Sequence, residues 1–136
     1  MTQLTPDWKL RQLPGFATTM GPMYERNGVF ALPMEAKHVN TRKTAHGGLA
    51  IAFADQGMGW FAQAHCPEGK SCTTIQLDSH LIGLAREGDI MILTPKIEKM
   101  TRSLFFMSAQ LMVDDRLIGT FHGVWKILNM GPYDPA

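Results

Sequence analysis

The 136-residue sequence predicts an α+β domain in which one long helix is wrapped by a five- or six-stranded antiparallel sheet. Two observations point there. A single stretch, AHGGLAIAFADQGMGWFAQAH, repeats its large apolar residues at helical spacing, and the apolar runs that follow it read as strands separated by short turns. A curved sheet is the simplest partner that lets one such helix bury its apolar face.

Taken in order, Thr5, Pro6 and Asp7 ahead of WKLRQL predict a short capped helix within residues 1–15, because Thr serves as an N-cap and Pro suits the first helical position. Pro14 and Gly15 end it. From Phe16 to Val39 the pattern is extended, with Asn27-Gly28 as a hairpin turn, and Pro33 predicts an edge strand or a bulge. The long helix follows. After a loop at Pro67, Glu68 and Gly69 come four strand-like runs, CTTIQLDSHLI, DIMILTPKIEK, SLFFMSAQLMV and LIGTFHGVWKIL. Residues 129–136 read as a loose tail, and residues 1–136 as one domain.

The bulk numbers narrow the function. Thirteen Lys and Arg against twelve Asp and Glu leave a net charge of +1 with no long run of either sign, so no nucleic-acid partner is expected. No apolar window reaches the roughly 20 residues that span a bilayer. No membrane partner is expected, and the chain is expected in the cytoplasm. Cys66 and Cys72 form no disulfide framework or paired metal motif and are expected as reduced thiols. The scattered histidines His38, His65, His80 and His122 make no metal pair, so no metal is expected. No G-x-S-x-G elbow is present either.

The long helix carries the chemistry. Gly47, Gly48, Gly57 and Gly59 make it poor by propensity, each interior Gly costing about 1 kcal/mol relative to Ala. At 100° per residue, Gly48, Ala52, Asp55, Gly59 and Ala62 form one stripe away from the apolar face of Leu49, Phe53 and Trp60. Small residues let another backbone approach. The charged member of the stripe is Asp55, and close packing there would desolvate its carboxylate and strengthen it as a base; an exposed or ion-paired Asp fits the helix pattern equally well. At the helix start, Gly47 and Gly48 offer backbone N–H groups at a positive helix end, suited to a polarised carbonyl, although two glycines also make an ordinary tight turn. Gly48 and Asp55 are seven residues apart, about 10 Å along a helix. Two groups acting on one carbonyl must each come within about 3 Å of it. If both act, Asp55 serves a carbonyl bound at the helix start of a second chain in a two-fold dimer.

The segment NTRKTAHGGLAIAFAD, from Asn40 to Asp55, resembles the signature of hotdog-fold acyl-CoA thioesterases of the PaaI-like branch, in the 4-hydroxybenzoyl-CoA thioesterase superfamily. The resembling positions are Asn40, His46, Gly47, Gly48 and Asp55, and the likeness extends from about Gly21 to Leu128. It implies hydrolysis of an acyl-CoA, with a small aryl, arylacetyl or medium-chain acyl group, to the free acid and coenzyme A. It implies a homodimer, doubling to a homotetramer, with no cofactor beyond the coenzyme A of the substrate. By position, the Gly47 N–H polarises the thioester carbonyl, His46 orients the loop or substrate, and Asn40 positions water or the thioester. Asp55 is the base on water or the nucleophile. A hydroxyl on the following strand helps to hold that water; alternation lets one of Thr73 and Thr74 face the site, and Thr74 is the expected one. Gly48, Met58, Thr73 and Arg102 are the substrate-binding candidates, Arg102 for coenzyme A phosphates together with Lys99 or Arg42. The fold also hosts non-catalytic acyl-CoA binders and dehydratases or hydratases, although the D-x-N-P-x-x-x-x-H type of motif is not matched around Asn40.

Overall fold

The structure, a computed structural model, describes residues 2–131. Its elements in order are β1 (Lys9–Arg11), α1 (Phe16–Met20), β2 (Met23–Arg26), β3 (Val29–Pro33), a 3-10 turn at Ala36–His38, α2 (Gly47–Ala64), β4 (Ser71–Leu81), β5 (Ile90–Met100), β6 (Leu104–Val113) and β7 (Arg116–Leu128). The seven strands form one antiparallel sheet in the order β1-β2-β3-β5-β6-β7-β4. Seven strands exceed the expected five or six because the N-terminal segment adds one.

That segment corrects the expected N-terminal helix. The Thr5 hydroxyl donates to the Asp7 carboxylate instead of capping a helix, and the Trp8 N–H closes a turn on the Thr5 carbonyl at 3.1 Å. Residues 9–11 then pair with β2, Leu10 opposite Tyr24. Trp8 is buried under the Arg26 guanidinium, 4.4 Å from the ring centroid, and Arg11 forms an ion pair with Glu25. These cross-strand partners outweigh a helix propensity spread over so few residues. The short helix lies one step later, at α1, where Ala17 and Met20 join the core, in a segment expected to be extended.

The Asn27-Gly28 hairpin is as expected. Both residues have positive φ, 52° and 78°, the two-residue turn whose twist matches the flanking strands. Pro33 is the last residue of β3, a strand flanked by β2 and β5, so it marks a strand end rather than an edge or a bulge. Of the expected loose tail, residues 132–136 lie outside the described residues, and the Met130 carbonyl accepts a bond from the Ser71 hydroxyl at 2.9 Å.

Helix α2 lies across one face of the sheet. Its contact arc is centred on Ala50, Phe53, Ala54, Gly57 and Met58, which shifts the expected Leu49, Phe53 and Trp60 face by part of a turn and leaves Leu49 only half-buried. Facing it are Phe30 and Leu32 of β3, Met91 and Leu93 of β5, Phe105 and Leu111 of β6, and Phe121 and Trp125 of β7, all at most 1% exposed. Each such side chain contributes about 1.5–3 kcal/mol by leaving water. Gly57 marks the closest approach, since a Cβ there would sit 2.6 Å from a Leu93 methyl and 3.3 Å from the Phe30 ring. Small size at this position therefore serves the sheet. The expected stripe toward a second chain keeps Gly48, Ala52, Asp55 and Gly59 at least partly exposed, while Ala62 is fully buried. Among the described residues, no helix is long and apolar enough to cross a membrane.

Candidate active site

The approach to α2 is set by a loop that Asn40 holds together. Its Oδ1 accepts from the Arg42 N–H at 2.9 Å and from the Thr44 N–H and hydroxyl, each at 3.3 Å, while its backbone N–H reaches the Thr44 carbonyl at 2.8 Å. The Asn40 oxygen is thus spent on the loop. Beside it, the buried His38 accepts from the Glu35 N–H on Nδ1 and donates from Nε2 to the Met20 carbonyl at 2.6 Å, the pattern of a neutral ring fixed by structure.

His46 is the N-cap of α2. Its Nδ1 accepts from the Gly48 N–H at 3.0 Å, which places the ring proton on Nε2. This corrects the expectation for Gly48: its N–H is already satisfied, and the imidazole stands 3.1 Å from where a Gly48 Cβ would be. Gly47 differs. No acceptor lies within hydrogen-bonding distance of its N–H among the described residues, so the first turn keeps a donor open at its positive end.

Two turns along, Asp55 is half-buried at the edge of the contact arc. The Thr74 hydroxyl donates to Asp55 Oδ1 at 2.6 Å, a short charge-assisted bond that fixes the carboxylate and leaves Oδ2 for other work. A bulge between Thr74 and Gln76 breaks the β4 ladder and turns Ile75 outward, 57% exposed. Bulges of this kind re-aim side chains beside functional sites. Thr73 is exposed. It lines an open cleft of about 520 Å³ together with Asp55, Thr74, Gly59, Trp60, Trp125 and Arg11. Arg11 stacks over the Trp60 ring, its guanidinium carbon 4.6 Å from the centroid, and so closes one wall. Gln63 ties the floor together, donating to the Lys70 carbonyl at 3.0 Å and accepting from the Cys72 N–H at 3.3 Å.

The chain thus brings Asp55, Thr74 and Thr73 together and holds Asn40, His46, Gly47 and Gly48 at the other end of α2, outside the cleft. Met58 is corrected: it is fully buried in the core and does not line the cleft. Arg102 is exposed in the β5–β6 turn, where it shares a separate hollow of about 530 Å³ with Lys70 and Lys126. The sequence reading missed Arg11 and Trp125. The alternation in WKLRQL was a signal for the first; the second enters only through the register that sets Trp125 opposite Thr74. Among the described residues, no three His, Cys, Asp or Glu side chains gather as metal ligands would.

Cys72, also on the cleft wall, is free, as is Cys66. Burial, reinforced by the neighbouring Cys66 thiol, pushes Cys72 up to about 12, and burial raises Cys66 as well. Little of Cys72 is then thiolate, the reactive form, near neutral pH. Native protein treated with iodoacetamide is expected to label Cys72 far more slowly than the urea-unfolded chain, as read by peptide mass spectrometry; equal rates would contradict this burial.

The thioesterase-superfamily profile matches residues 43–120, a span that contains α2, Asp55 and Thr74. The chain belongs to the thioesterase superfamily. Its reaction class is thioester hydrolysis, and its fold is the hotdog fold. A Pseudomonas aeruginosa protein named putative esterase PA0474 is 31% identical to this thioesterase over 113 residues, covering 79% of this chain and 84% of that one. Among solved structures, a phenylacetic acid degradation-related protein of Ralstonia eutropha JMP134 superposes with a TM-score of 0.75 at 20% identity, covering 85% of this chain and 92% of that one. The E. coli PaaI protein, from the phenylacetic acid degradation operon, gives 0.72 at 12% identity with 85% of each chain covered. A Bacillus halodurans protein solved with CoA gives 0.70 at 19% identity, and the thioesterase spans 74% of itself and 66% of that chain in the match.

Proposed function

We propose that this thioesterase hydrolyses an acyl-CoA carrying a small aryl, arylacetyl or medium-chain acyl group, in the cytoplasm, at a site shared between two subunits. The observation that carries the reading is the Asp55 carboxylate held by Thr74 at the edge of an open cleft, within the span that matches the family. The partner subunit's Gly47 N–H receives the thioester oxygen. Asp55 then acts by one of two routes. As a base it takes a proton from water while the water oxygen attacks the carbonyl carbon; the tetrahedral oxyanion collapses and expels the coenzyme A thiolate. As a nucleophile its oxygen attacks the same carbon, expels the thiolate and leaves a mixed anhydride that water opens.

A second copy of the chain is favoured on physical grounds. Asp55 lies about 12 Å along α2 from its own Gly47, too far to share one carbonyl with it. The surface around the site is unusually apolar, with Ile51, Leu81, Ile82 and Leu84 each more than a third exposed near α2 or the outer strand β4. Association into a dimer, and of dimers into a tetramer, would cover it. The remaining groups take narrower roles than the sequence suggested: Asn40 offers its amide nitrogen and His46 its Nε2–H. Lys70 and Lys126 join Arg102 as the cationic groups for coenzyme A phosphates.

The test is thiol release from phenylacetyl-, benzoyl-, hexanoyl- and palmitoyl-CoA. Release from one of the smaller thioesters is expected. Binding of all four without release would replace hydrolysis by the non-catalytic acyl-CoA binder.

A further inference from the structure

Cys66 and Cys72 stand on either side of the connection between α2 and β4, and one residue holds both. The Gln63 carbonyl accepts from the Cys66 N–H at 3.2 Å, and Gln63 Oε1 accepts from the Cys72 N–H at 3.3 Å. The Gln63 amide nitrogen also donates to the Lys70 carbonyl at 3.0 Å, so the chain between the two cysteines is drawn back on itself. Both side chains pack against the same core, and the thiols are close enough that each alters the ionisation of the other. Both are free, and the thioester chemistry proposed above uses neither.

The segment between them can yield. Pro67, Glu68 and Gly69 are exposed, and Gly69, at φ 78°, has no atom within 4 Å of where a Cβ would be. Cys72 is less free to move, since it sits in the β4 ladder opposite Ile127 with its sulfur 3.9 Å from the Gly59 carbonyl oxygen. The adjustment that brings two sulfurs to bonding distance therefore falls on Cys66, which lies beyond the last residue of α2.

We infer that Cys66 and Cys72 are a redox site, which a small-molecule disulfide such as oxidised glutathione converts to an intrachain disulfide clamping the end of α2 to the start of β4. The Cys66 thiolate attacks one sulfur of the oxidant, breaks its S–S bond and releases one glutathione thiolate. The Cys72 sulfur, as thiolate, then attacks the Cys66 sulfur of the mixed disulfide and releases the second. Two protein thiols lose two protons and two electrons, and the oxidant becomes two glutathione thiols. The burial that raises both cysteines makes the exchange slow at neutral pH, because the thiolate is the attacking form. It also denies the reduced pair any stabilisation through ionisation, which favours the disulfide once it has formed. The clamp closes a short loop and restricts the unfolded chain, so it stabilises the fold.

The experiment equilibrates the protein in glutathione buffers of rising oxidised fraction and maps its tryptic peptides without reductant. Trypsin cuts after Lys70, between the two cysteines, so the disulfide appears as residues 44–70 joined to residues 71–86, in a chain that still runs as a monomer on a denaturing gel. The linked form is expected to melt about 5–10 °C above the reduced form, a shift that dithiothreitol reverses. Cys66→Ser and Cys72→Ser are each expected to show no difference between the oxidising and reducing buffers. Circular dichroism identifies any variant that fails to fold, and the wild-type peptide map and melting shift are decisive without the variants. Thiols that stay free in the most oxidising buffer, a link found only between chains, a linked form that melts no higher than the reduced one, or a shift kept in a folded variant overturns the inference.

Discussion

Asp55→Asn is expected to lower kcat for thiol release by about 10²–10⁴-fold with little change in KM. Asparagine keeps the shape of aspartate, and its carbonyl oxygen can still accept the Thr74 hydroxyl that now lies 2.6 Å from Oδ1. The cleft should therefore persist while the group that takes a proton or attacks carbon is gone. Circular dichroism and sedimentation would verify an unchanged fold and assembly, and full activity in the variant would remove Asp55 from the mechanism. The same variant tests the shared site. Gly47→Pro deletes the open helix-start N–H at a position where proline is tolerated, because His46 has φ −61° and ψ 131°, compatible with a following proline. Neither variant alone should turn over, and mixed dimers should recover part of the activity because one of their two sites keeps both groups. Verified mixed dimers without recovery would overturn the shared site.

The largest effect on stability is expected at Gly123→Ala. Gly123 is buried in β7 opposite Leu77, just past the β4 bulge, and a Cβ there would stand 2.7 Å from the Gln76 carbonyl oxygen and 2.6 Å from the Trp125 ring. A backbone carbonyl held in a ladder cannot step aside as a flexible side-chain tip can. The sheet must open locally, and overpacking of this kind costs about 1–3 kcal/mol. Urea unfolding followed by tryptophan fluorescence should show the midpoint fall with the slope unchanged. An unaltered midpoint would mean that β4 and β7 slide freely past each other at the bulge. Because Trp125 pairs with Thr74, the variant should also lose activity in proportion to any shift of that ring.

The parts of the site that repeat along one element were legible in advance. Asp55 stood out as the one charge in a stripe of small residues, and of the two adjacent threonines the favoured one, Thr74, donates to it at 2.6 Å. Features that depend on distant partners were not legible. Trp8 and Arg11 look helical by neighbourhood and become strand-like only because Glu25 and Arg26 lie across from them. Gly57 and Gly59 are equivalent in propensity, yet one is pressed against Leu93 and the other opens toward Trp125, a difference set by β5 and β7. The His46 ring over Gly48 depends on a side-chain rotation for which the backbone pattern carries no code.

The strand order has a consequence for biosynthesis. β4 leaves the ribosome before β5, β6 and β7, yet it docks on the last of them, so Thr74 waits for some fifty later residues before it has an edge to join. The strand that carries Thr74 gains its ladder only when β7 arrives, with Thr74 opposite Trp125. A nascent or truncated polypeptide lacking β7 thus holds its carboxylate on a helix with no properly placed hydroxyl. Under the proposed mechanism such a chain is expected to release no thiol until β7 has joined the sheet.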